Sequence, residues 1–102
     1  MVINFFMRDG RVYGFTYSNL INYLMDANPD VELDRDAPPD RLTLAFSSHD
    51  VVALGWRLQG LFQFFTDATI SSLRAFDVRY AEFGDSMPFV ADIIVTPIKG
   101  AQ

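Results

Sequence analysis

The chain contains no cysteine. Disulfides, thiolate metal ligands and a cysteine nucleophile are excluded at once. Histidine is almost as scarce: His49 is the only one in 102 residues. One imidazole cannot build a multi-histidine metal centre within one chain. Lysine is nearly missing too, since seven of the eight basic residues are Arg and the eighth is Lys99. Those residues are scattered along the sequence, and the formal net charge is −5. Binding to a nucleic-acid backbone needs clustered positive charge, so no nucleic-acid partner is expected. No apolar run approaches the ~20 residues that cross a bilayer. The start, Met1 to Met7, carries no basic stretch and is broken by Arg8-Asp9-Gly10, unlike a secretory leader. The expectation is a cytoplasmic protein with no membrane partner. The glycines never cluster into a phosphate-binding loop.

What the chain does have is hydrophobic mass. Half of its residues are hydrophobic and 15% are aromatic, with ten Phe. Residues 1–102 therefore suffice for a single domain with a real core. The first use of so many rings is to fill that core. The second is an exposed aromatic surface for a partner or ligand.

Val2 to Met7 and Arg11 to Phe15 read as two strands joined by Arg8-Asp9-Gly10. Asp-Gly supplies the positive φ that a tight hairpin needs. Ser18 caps a predicted helix with Leu20, Ile21, Tyr23 and Leu24 on one face. Asn28-Pro29 ends it. Asp30 to Asp40 is a charged, Pro-containing connection with a short extended piece at Val31 to Leu33. Leu42 to Phe46 and Val51 to Trp56 form a second hairpin around Ser47-Ser48-His49-Asp50. A second helix follows, carrying Leu58, Leu61, Phe62, Phe64 and Phe65. Ala68 to Phe76 admits a helical turn or a short strand. Asp77 to Phe83, the turn Gly84-Asp85-Ser86 and Phe89 to Ile98 complete a closing hairpin, ended by Pro97 and Gly100.

The predicted class is α+β, a mostly antiparallel sheet with two helices in the order β-β-α-β-β-α-β-β. An ungapped offset of 41 positions sets Phe5 on Phe46, Asp9 on Asp50, Gly14 on Gly55, Leu20 on Leu61 and Asp26 on Asp67. This favours an internal pseudo-twofold duplication of residues 3–27 and 44–68. Two such units would share one core. Val51 to Leu54 and Ile93 to Val95 are apolar on both faces, so a partner subunit is a candidate for the second cover.

Catalytic residues are not found. Ser47-Ser48-His49-Asp50 holds the residue types of a serine triad, but neighbours in one turn cannot align as nucleophile, base and orienting acid. Asp30, Glu32, Asp34 and Asp36 alternate like a calcium loop. Yet Arg35 and Arg41 stand where such a loop requires Gly and Glu. No metal ligands and no cofactor are expected. Asp92 falls inside an apolar strand, where alternation points it outward; turned inward it would need a partner such as Arg79. The weak binding candidates are Tyr13, Tyr17, Trp56 and Arg57, at the two strand–helix junctions. Trp and Arg favour interfaces. Core packing of Trp56 is the plainer use.

These features suggest a non-enzymatic protein-interaction or assembly module. Its partner is expected to be itself, as a homodimer, or another protein. The alternative is a small-molecule binding or sensing domain with its pocket at the junctions.

Overall fold

The Asp9-Gly10 turn organises the first hairpin. In the computed structural model, which describes residues 1–77 and 87–98, Gly10 has φ 94°. Its N–H donates to the Met7 carbonyl at 3.1 Å, and the Met7 N–H donates to the Arg11 carbonyl at 2.8 Å. Asp9 accepts from both the backbone N–H and the Nε of Arg11. Strands β1 (Val2–Phe6) and β2 (Val12–Thr16) then pair antiparallel, with Ile3 opposite Phe15 and Phe5 opposite Tyr13. Period-two alternation puts these four side chains on one face.

The next segment departs from expectation. After a 3-10 turn at Tyr17–Asn19, the predicted helix is a strand, β3 (Leu20–Ala27). The cause is a β-bulge. Leu20 pairs with Phe46 and Asn22 with Ala45, so the register slips across Ile21. One extra residue moves the inward face from Leu20 to Tyr23, an odd step that imitates helical spacing. Tyr23 to Met25 then keeps the sheet's own step of two, and Leu20, Tyr23 and Met25 all pack against the core.

Residues 28–39 form an ordered connection rather than an extended piece. Val31 lies in a 3-10 turn at Pro29–Glu32. Asn28, 4% exposed, holds both ends of this connection. Its side-chain oxygen accepts from Asp30 N–H, its amide donates to the Pro38 carbonyl at 2.8 Å, and its own N–H donates to the Pro39 carbonyl. Pro29 suits the first position of such a turn because its missing N–H is not needed there.

Strands β4 (Asp40–Phe46) and β5 (His49–Trp56) form the expected second hairpin around Ser47-Ser48. The second predicted helix appears as a 3-10 turn, Leu58–Leu61, running into a short helix α1 (Phe62–Thr66). Leu58, Leu61 and Phe65 form its buried stripe. The turn enters through Arg57 at φ 58° and is capped by Asp40, whose carboxylate accepts from Leu58 N–H at 3.1 Å. Strand β6 (Ser72–Arg74) pairs parallel to β1, and β7 (Phe89–Pro97) pairs antiparallel to β5. The predicted strand at Asp77 to Phe83, the turn at Gly84-Asp85-Ser86, Gly100 and the Arg79 partner for Asp92 lie outside the described residues, apart from Asp77.

Two sheets result, β2-β1-β6 and β3-β4-β5-β7. Their inner faces meet. Phe15 stacks on Phe46 at 4.5 Å, and Phe5 meets both rings edge-on at 6.0 and 6.1 Å. The inner face of the larger sheet is therefore covered by the smaller sheet, with α1 beside it under Tyr23, rather than by two helices. The class is α+β and mostly antiparallel, with a single short helix among the described residues. The ungapped sequence match is accompanied by matching hairpins but not by matching elements after them, so the duplication is not confirmed. Leu20–Ala27 is a strand where its counterpart is largely helical, Gly14 is exposed while Gly55 is buried, and Phe15 faces the core while Trp56 does not. Among the described residues no helix is long and apolar enough to cross a membrane.

Candidate interaction surface

The register of the larger sheet defines its two faces row by row. Residues directly opposite each other across antiparallel strands share a face. Two rows point inward: Tyr23, Leu44, Val51, Val95 and Met25, Leu42, Ala53, Ile93. The rows between them point outward. Leu24, Thr43, Val52 and Ile94 form one continuous outer row across all four strands. On one side of it lie Asp26, Arg41, Leu54 and Asp92; on the other lie Asn22, Ala45, Asp50 and Thr96. Trp56 and Phe89 add an aromatic pair at one end, ring centroids 5.9 Å apart, and Phe76 extends it at 6.2 Å from Phe89.

Three of the four side chains in the outer row are apolar, and the two at its ends are open. Leu24 is 57% exposed and Ile94 44%. Val52, Leu54 and Trp56 are half-buried by their neighbours alone. Asp26, Arg41 and Asp92 on this face are held by hydrogen bonds, while Asp50 is exposed. Arg41 donates to both oxygens of Asp26, at 2.9 and 2.6 Å. That hydrogen-bonded guanidinium holds the Asp26 carboxyl below its ordinary range, and the carboxylate in turn raises Arg41. Asp92 is exposed, as alternation required, and its carboxylate accepts from Ile93 N–H.

The four residues singled out from the sequence are not brought together among the described residues. Tyr13 faces inward from β2, its hydroxyl 3.4 Å from Arg11. The Tyr17 hydroxyl donates to the Ile70 carbonyl at 2.5 Å, and burial pushes its pKa up. Trp56 lies on the outer face of the other sheet, against Phe89. Arg57 donates to the Met87 carbonyl at 2.7 Å. His49 starts β5, 2.8 Å from the Ser48 hydroxyl and edge-on to Phe15.

Two open clefts flank the first hairpin turn, of about 450 and 430 Å³. Arg8, Arg11 and Arg74 line them, each with an intramolecular partner. Arg11 pairs with Asp9 at 2.8 Å, Arg8 lies 3.9 Å from Asp77, and Arg74 covers the Phe6 ring at 4.2 Å. Among the described residues, no three His, Asp or Glu side chains converge as a metal site requires. Every buried side-chain polar atom there has a hydrogen-bond partner.

No known relative emerges. No protein-family model matches the chain, and neither a curated protein nor a solved structure is similar enough to count as a match. The surface must therefore speak through its own chemistry. Its residues were half visible in the sequence: Val52, Leu54 and Ile94 stand in runs apolar on both sides. Leu24 was hidden, because the bulge at Ile21 disguised its strand as a helix.

Proposed function

We propose that this protein is a non-enzymatic assembly module that works as a homodimer. The observation that supports the reading is the incomplete cover of the larger sheet among the described residues: β3 stands unpaired on its outer side, and Leu24, Val52 and Ile94, with Thr43 among them, line the outer face. Large apolar side chains grouped on one exposed face, rimmed by polar residues, mark interaction sites. Leu54, Trp56 and Phe89 widen the row toward one end, and aromatic residues are enriched where proteins meet.

The small-molecule alternative has less to stand on. Tyr13 and Tyr17 lie in and just after β2, Trp56 and Arg57 at the end of β5, and the arginines at the two clefts are engaged within the chain. Size-exclusion chromatography with light scattering tests the proposal. A dimer at tens of micromolar is expected; a monomer at that concentration would count against self-assembly.

A further inference from the structure

If two copies assemble as proposed above, the larger sheet offers them an edge on which to meet. We infer that they join along the free edge of β3, antiparallel and centred on Leu24, so that two sheets become one continuous sheet.

Strand β3 stands at the end of its sheet, and β4 is its only paired neighbour among the described residues. An edge strand offers a row of backbone N–H and C=O groups to any passing chain. Proteins that stay monomeric guard such edges with Lys, Pro, short length, a bulge within the strand or charge turned inward. Over its eight residues β3 carries no Lys, Arg, Pro or Gly. Its one charge, Asp26, is already held by Arg41. The bulge at Ile21 disturbs only the first turn of the ladder.

The strand is also complementary to itself. The run Asn22-Tyr23-Leu24-Met25-Asp26 has mirrored polarity about Leu24. Antiparallel pairing about that residue sets Leu24 opposite its copy, Tyr23 opposite Met25, and Asn22 opposite Asp26. The Asn22 amide donates and the Asp26 carboxylate, with lone pairs beyond those Arg41 uses, accepts. No like charges meet. Centring the pair on Met25 would set Leu24 against Asp26, and centring it on Asp26 would oppose two carboxylates. The chosen register also carries the apolar row Ile94, Val52, Thr43, Leu24 straight across the seam into the partner. Beneath the edge, Phe62 packs on Tyr23 at 5.6 Å yet remains 38% exposed. The partner strand would help to cover it.

The absence of cysteine makes the test clean, because any introduced Cys is the sole thiol. Leu24→Cys, Val52→Cys and Ile94→Cys are each oxidised mildly, and covalent dimer is followed over time. Opposed residues of an antiparallel pair lie within disulfide reach. Rapid cross-linking at Leu24→Cys, with Val52→Cys and Ile94→Cys slow, supports the seam. A dimer by light scattering that cross-links faster at Val52 or Ile94 than at Leu24 overturns the seam. It leaves self-assembly standing as face-to-face packing. A wild-type monomer overturns both, and an extended peptide from another protein becomes the occupant to seek. In a separate check, Asn22→Asp sets carboxylates against Asp26 twice per dimer. Its dissociation constant should rise roughly tenfold at low salt, with unchanged circular dichroism. An unchanged constant would contradict the register.

Discussion

Asn28 shows how much one polar side chain can organise. It is buried, and all its hydrogen bonds go to the connection it closes. Asn28→Ala removes two of those bonds and strands the Pro38 carbonyl, so it should cost about 2 kcal/mol. For a domain of this size that is a fall of roughly 10 °C in melting temperature, read by thermal circular dichroism. Asp26 provides a second residue-scale expectation. Its folded pKa is depressed by Arg41. The pair therefore contributes stability above the ordinary carboxylate pKa and loses it as pH falls through the depressed folded value. Urea titrations from pH 7 to pH 2 should show Asp26→Asn with a shallower acid decline than wild type. Equal slopes would mean that the pair contributes nothing to folding.

At the scale of elements, Gly55 fixes the join of β5 and β7. The register slips between Leu54 and Gly55, and Ala91 is the extra residue opposite. A methyl group on Gly55 would overlap the Phe89 carbonyl oxygen, which is backbone and cannot swing aside. Gly55→Ala should therefore cost about 3 kcal/mol, measured by chemical denaturation. Bulges also explain what was legible beforehand. The hairpins were plain, because Asp9-Gly10 and the alternation of Leu42 to Phe46 are local signals. The strand β3 was not, because its period was broken at Ile21 by pairing with a strand some twenty residues later. The same event separates the second halves of the two matched stretches: one sequence pattern yields a strand where β4 offers an edge and a helix where Asp40 caps a turn, and the duplication is not confirmed. Leu58, Leu61 and Phe65 keep true helical spacing, and that stripe is buried as expected.

For the whole molecule, the division of labour between two sheets is the main result. The smaller sheet and α1 seal one face of the larger, and among the described residues no element covers its other face. Of the candidate surface, the strands apolar on both sides announced that one face lacked a cover. Which residues line that face depended on register, which one sequence does not disclose. Val52→Lys places a charge in the middle of the outer row without touching the core. Under the β3 seam it should leave folding cooperative and association nearly unchanged; a tenfold or greater loss of association would mean instead that a partner's face covers the row. Sedimentation velocity separates the two.

The most direct measurement remains the solution mass of the wild-type chain. At tens of micromolar, light scattering should give twice the 11.6 kDa of one chain, with the fraction of dimer falling on dilution. A constant 11.6 kDa across that range would contradict the assembly module proposed here.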